Sequence, residues 1–170
     1  MIQNIVKWAL LICATAVVVG TASAGFLSLL DFTTQVRVSN LWLIYSLPLI
    51  GLVVSFIYLK INPSFNNGNE YIIHEFLNEA QDKKPMPFAL APLVFIGTIL
   101  THLGGGSAGR EGTAVQMGAS IASQFNRWIN LNKPAQRLLT CIGVSAGFAG
   151  VFGTPLAASI FALEFFSFKK

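Results

Sequence analysis

The chain has 170 residues, 54% apolar and 11% charged, with a mean hydropathy of +0.64 and a formal net charge of +4. That length fits one small domain, but charges gathered into short stretches between long apolar runs exclude an ordinary soluble one and read as an all-α polytopic membrane protein. The basic excess does not indicate nucleic acid, because its eleven Lys and Arg sit at segment ends, as membrane flanks do. Cys13 and Cys141 both lie in apolar runs and imply neither a metal site nor a disulfide framework.

Residues 5–30 form the first apolar run, broken only by Thr, Ser and Gly. Lys7, an apolar core and Ala22-Ser23-Ala24 also fit a signal peptide, but the length through Leu30 and the later spans favour an uncleaved helix. A polar connection containing Arg37 is expected over 31–40. Residues 41–59 read as a second span, with Trp42, Tyr45 and Tyr58 near its ends and Lys60 closing it. Residues 61–68 are rich in Asn, Pro and Gly and read as a loop. A short helix follows from about Asn69 through Tyr71, Ile72, Ile73, Phe76 and Leu77, too short and too polar to cross a bilayer. Taken alone, with Glu75, Glu79, Asp82, Lys83 and Lys84 in and after it, it is an ordinary surface helix.

The next apolar run, 87–103, leads into a glycine-rich hinge at 104–109. A helix is expected over 111–125, then a polar link over 126–134 holding Arg127 and Lys133. Two more helices, 135–150 and 154–168, divide at Phe152-Gly153-Thr154-Pro155, where Pro155 suits a first helical turn. Ala114, Gly118 and Ala122, then Gly143 and Gly147, then Ala158 and Ala162, recur at four-residue spacing and predict close helix packing. Short helices broken by Gly or Pro are a transporter pattern, in which helix ends are aimed at a midplane site.

The hinge carries the chemistry. Arg110 and Glu111 stand between apolar runs, and an ionisable pair in membrane surroundings marks a functional site by default. A helix opening there offers free N–H groups and a positive dipole end to an anion. Side chains one residue apart do not face each other on a helix, so Arg110 and Glu111 do not satisfy one another. Burial would disfavour the charged form of Glu111 and the helix start would favour it. Gly104, Gly106 and Gly109 also satisfy G-x-G-x-x-G, but no strand precedes them and no acid follows at the required distance. Gly105-Gly106-Ser107-Ala108-Gly109 satisfies G-x-S-x-G, yet no carboxylate is placed to orient His74 or His102 as a base. His74 lies on a polar helix, His102 ends an apolar run within reach of a backbone carbonyl, and neither has a partner at metal spacing.

Gly109-Arg110-Glu111-Gly112-Thr113 resembles the GREGP/GREGT loop of the CLC family of chloride and fluoride channels and proton-coupled antiporters. Gly68-Asn69-Glu70-Tyr71-Ile72 sits where that family has its GSGIP-type loop. Phe152-Gly153-Thr154-Pro155-Leu156-Ala157, with Ile160-Phe161-Ala162-Leu163-Glu164, looks like its FNAPLAG…FxxE helix. The resemblance covers about residues 5–168, but only the first half of a usual CLC transport domain. It implies that 1–170 form the N-terminal inverted-repeat half, with broken, tilted helices and the second half absent, and that the short helix at Asn69 is a half-helix aimed at the anion from the cytoplasmic side.

The resemblance implies that Glu111 is the gate and proton carrier, taking the anion's place when charged. Gly68, Asn69, Glu70, Gly109, Arg110, Gly112 and Thr113 would then form the anion site, Arg110 through its backbone N–H and its positive potential. Asn69 stands where chloride-type proteins usually carry Ser, and Thr113 where GREGP has Pro. Both departures resemble the fluoride branch. Phe165 replaces the second Glu of proton-coupled chloride antiporters, which leaves Glu164 a structural role and agrees with fluoride/proton exchange. The expectation is a fluoride/proton antiporter of a bacterial inner membrane, homodimeric as the family is, with no enzyme activity, metal or cofactor. A chloride channel or chloride/proton antiporter is the near alternative, and a non-transporting membrane subunit or truncated half the distant one. Lys7, Lys60, Lys83, Lys84 and the terminal lysines suggest a cytoplasmic side, which by chain order puts Arg127, Lys133 and Arg137 outside.

Overall fold

The computed structural model describes residues 2–77 and 86–167, with side chains from residue 5 onward, and contains helices and no strand among them. Glu79, Asp82, Lys83, Lys84 and the terminal lysines lie outside the described residues.

The first helix, α1 (Ile2–Ser39), is about 57 Å long at 1.5 Å per residue, well beyond a bilayer core of about 30 Å. Its buried residues Leu11, Thr15, Val19, Ser23, Phe26, Leu30 and Thr33 recur at three and four positions, a single stripe facing the protein. The stretch 31–39, expected as a connection, continues the helix. It holds no Gly or Pro, and the hydroxyls of Thr33, Thr34 and Ser39 donate to the carbonyls of Leu29, Leu30 and Gln35, satisfying themselves within the helix. Asn40 ends it, its side chain donating to the Val36 carbonyl. The second span opens as a 3-10 turn (Leu41–Ser46) before α2 (Leu47–Ile61), which has no buried residue.

A second 3-10 turn (Pro63–Asn67) leads to α3 (Asn69–Leu77), at nine residues about 14 Å long. Then come α4 (Leu90–Leu103), α5 (Arg110–Gln124), the single turn α6 (Asn126–Ile129), α7 (Lys133–Phe152) and α8 (Pro155–Ser167). The expected polar link 126–134 is thus mostly helical. Asn126 accepts from Leu131 N–H at 2.8 Å across the bend, and Asn132 caps α7 by accepting from Ala135 N–H at 3.1 Å. Gly153, in the left-handed region, ends α7, and Pro155 opens α8 as expected.

The centre is α5 on α7. A methyl on Gly118 would collide with the Gly143 carbonyl, one on Gly147 with the Ala114 carbonyl, and one on Gly143 with Ala122, so these backbones touch. The spacing of Ala114, Gly118 and Ala122 and of Gly143 and Gly147 read from the sequence is this contact, while Ala158 and Ala162 are buried on α8. Gly150 of α7 also lies close on the Ser23 side chain of α1, where a methyl would not fit without a shift. Lipid tails are as apolar as Leu, so association in a membrane depends on such close packing more than on hydrophobicity. Outward, Leu49, Leu52, Phe56, Leu156 and Leu163 are all more than 60% exposed, as apolar surface in contact with lipid or with further protein would be.

The helices share one basic end. Arg137 of α7 donates through Nε to the Phe76 carbonyl at 2.8 Å and through a terminal nitrogen to the Leu77 carbonyl at 3.2 Å, at the C-terminus of α3. Phe76 stacks on Phe166 of α8 at 3.8 Å. Gln124 donates to the Met86 carbonyl ahead of α4, Ile61 of α2 lies near Ala89, and Trp8 of α1 packs among Leu131 and Leu139. Lys7, Lys60, Arg127, Lys133 and Arg137 therefore gather together. The expectation that Arg127, Lys133 and Arg137 fall on the opposite side is corrected. α4 starts at this end and runs to the hinge, where Gly104 packs on Leu47 of α2. α5 runs back from the hinge to set Gln124 on the Met86 carbonyl, so Arg127, Lys133 and Arg137 return to the side of Lys60.

Candidate functional site

Two helix starts meet at Asn69 and Gly112. Gly68 precedes α3 with φ 55 and ψ −123, a conformation that favours glycine, and so turns the chain sharply into the helix. Gly105, at φ +83, makes the corresponding turn after α4. The residue before α5 is Gly109, with extended backbone and no side chain to cap the N–H groups that follow. In most helices a Ser, Thr, Asp or Asn oxygen would take one of those donors. Here the first N–H groups of α5 remain for an outside acceptor, at the positive end of the helix dipole.

A methyl built on Gly112 would lie 3.7 Å from both amide atoms of Asn69, an ordinary contact distance, so the starts of α3 and α5 lie side by side. Gln116 Nε2 donates to Asn69 Oδ1 at 3.2 Å and ties the two helices. A cavity of about 310 Å³ opens beside this junction, bordered by Gly68, Gln116, Ser55, Tyr58 and Thr101. Gln116 is the residue that sequence reading missed. An amide set among Ala114, Val115, Met117 and Gly118 on a buried helix was the available signal, since a polar group there needs a partner.

Of the expected anion-site residues, the structure joins Gly68, Asn69 and Gly112. Glu111 follows on the same turn, its Oε2 lying 3.2 Å from where a Gly109 side chain would begin. Glu111, Arg110 and Gly109 are exposed, so the burial expected of Glu111 is not supplied by these residues. Glu70 is exposed on the first turn of α3. Thr113 differs from the rest. It is 4% exposed, and its hydroxyl lies 2.6 Å from the Thr98 hydroxyl and 3.2 Å from the Gly109 carbonyl. That hydroxyl braces the hinge against α4, leaving the Thr113 backbone as what faces the helix start.

The bland readings of the histidines hold. His74 is exposed, and His102 Nδ1 lies 2.9 Å from the Thr98 carbonyl, the backbone contact expected of it. Glu164 is exposed on α8. Its neighbours belong to a chain of rings, Phe152–Phe148–Phe161–Phe165–Phe166, that ends on Phe76 of α3. Chemically, the junction offers backbone and amide donors and one exposed carboxylate. That set can bind a small anion and exchange it for a side chain, and it offers no nucleophile–base pair.

The model of the voltage gated chloride channel family matches residues 72–169, more than half of the chain. The chain belongs to the CLC family. It is 43% identical over 164 residues to a chloride/fluoride channel protein of Pseudomonas syringae pv. tomato, covering 96% of this chain and 36% of the relative. It is 27% identical over 169 residues to the H(+)/Cl(−) exchange transporter ClcA of Cronobacter sakazakii, covering 91% of this chain and 36% of that one. A solved structure, a CLC-type fluoride/proton antiporter, superposes with a TM-score of 0.86 at 39% identity over 96% of this chain and 41% of its own. The chain thus spans about two fifths of the length of these relatives. The all-α membrane architecture inferred from hydropathy agrees with that fold, and among the described residues three helices are long and apolar enough to cross a membrane.

Proposed function

We propose that this chain is the N-terminal half of a CLC-type transport domain that exchanges fluoride for protons and exports fluoride across a bacterial inner membrane. The observation that carries the reading is the meeting of two helix starts at Asn69 and Gly112, one without a side-chain cap, beside the exposed carboxylate of Glu111. Fluoride is held by backbone N–H groups and the Asn69 amide. Glu111, when charged, takes the same donors, and leaves them when protonated, carrying the proton. The higher identity to the chloride/fluoride channel protein than to the H(+)/Cl(−) exchanger supports fluoride over chloride. The exposed Glu111 supports a second protein surface closing over the site, from a further segment or a second chain, in an assembly that is homodimeric as a whole.

The coverage of about two fifths of its relatives favours one other reading, a half that assembles without transporting by itself. Liposomes containing the chain, loaded in parallel with fluoride and chloride, separate the readings. Fluoride efflux well above chloride supports the fluoride antiporter. Chloride efflux equal or greater moves the chain to a chloride transporter, and no efflux of either identifies an incomplete half.

A further inference from the structure

We infer that Gln116 sets the anion preference of the site by fixing which side of the Asn69 amide faces the anion. This rests on the reading of Asn69 as an anion ligand. An amide is two-sided: its nitrogen brings two donors, its oxygen only acceptor lone pairs that repel an anion. Rotation about the last side-chain bond of Asn is soft and roughly two-fold, so Asn69 alone does not choose. Gln116 chooses for it. Its Nε2 donates to Asn69 Oδ1 at 3.2 Å, which occupies the acceptor and leaves the Nδ2 hydrogens for a ligand.

The surroundings suit this role. The paired amides lie against the two glycines that open α3 and α5. A methyl on Gly68 would sit 3.6 Å from Gln116 Nε2, and one on Gly112 would sit 3.7 Å from both Nδ2 and Oδ1 of Asn69. Gln116 stands one turn beyond Gly112, between Val115 and Met117, which are 0% and 2% exposed. The anchor is therefore on a firmly packed helix, while Asn69 is on the short α3. Fluoride is small and strongly hydrated, and needs oriented donors in place of its water. Chloride, larger and more weakly hydrated, depends less on one amide's orientation.

The test titrates sodium fluoride and sodium chloride into the chain in lipid nanodiscs, reading the Asn69 side-chain amide by 15N–1H resonance and affinity by calorimetry. Gln116→Met keeps length and helix propensity but removes the donor. It is expected to weaken fluoride binding about tenfold, one lost oriented donor's worth, with chloride changed less than about twofold. In the Asn69→Ala background the same substitution should do nothing further. Gln116→Glu, whose carboxylate accepts from Asn69 Nδ2 and turns its oxygen to the anion, should weaken fluoride more than Gln116→Met does. If Asn69 responds to fluoride but Gln116→Met weakens both anions equally, or acts equally with and without Asn69, the inference is overturned and Gln116 only braces α3. If the unsubstituted chain shows no fluoride-dependent change at Asn69, or Asn69→Ala binds fluoride as tightly, the anion-site reading itself fails.

Discussion

Thr113 and Glu111 sit two residues apart on α5 with opposite surroundings. The Thr113 hydroxyl is buried and shared between Thr98 and the Gly109 carbonyl, while the Glu111 carboxylate is exposed beside the hinge. Removing one hydroxyl of the Thr98–Thr113 pair strands the other in a buried place, which costs about 1–3 kcal/mol, whereas removing both costs less than the sum. Thr113→Val should therefore lower the unfolding midpoint in detergent, and Thr98→Val added to it should lower it little further. The residues legible in the sequence were those in contiguous motifs. Glu111, Gly112 and Asn69 could be named because the motif fixes their spacing, and His102 because a histidine closing an apolar helix needs a backbone acceptor. Gln116 and Thr98 could not, because their roles depend on partners 47 and 15 residues away.

At the scale of elements, α3 is the helix that tertiary contacts must hold. Nine residues form only a marginal helix by themselves. Arg137 supplies a cation and two donors to its last carbonyls, and its guanidinium lies 5.6 Å over the Phe76 ring. Hydrogen bonds from a charged donor contribute about 1.5–3 kcal/mol. Arg137→Ala should speed amide exchange in α3 by about tenfold or more, with α7 little changed, as read by hydrogen–deuterium exchange. Equal exchange in both proteins would deny Arg137 this role. Gly147→Ala forces a methyl into the Ala114 carbonyl and should destabilise the α5–α7 pair by about 1–3 kcal/mol. Helix existence here followed from hydropathy and Gly/Pro punctuation. The end of α1 did not, because Asp31, Thr33, Thr34 and Gln35 look like a loop by polarity, yet nothing among them stops a helix.

The whole molecule has one basic end and one end carrying the hinge. Lys7, Lys60, Arg127, Lys133 and Arg137 share the first, and Arg37 approaches Gly105 at the second. We propose that the basic end is cytoplasmic, following the positive-inside preference of membrane proteins. A cysteine at Lys133 in intact cells should then resist a membrane-impermeant thiol reagent, and one at Ser39 should react; the reverse pattern would invert the orientation. This arrangement was invisible to counting spans along the chain, since it depends on α5 turning back at the hinge to the end where α4 begins. The central claim is that Glu111 competes with the anion and carries the proton. The direct measurement is the lumenal pH of vesicles containing the chain, with fluoride inside and the membrane potential clamped. Exchange predicts that fluoride leaves while protons enter, acidifying the lumen, and that Glu111→Gln abolishes the acidification. Fluoride efflux without acidification, or acidification that survives Glu111→Gln, would contradict it.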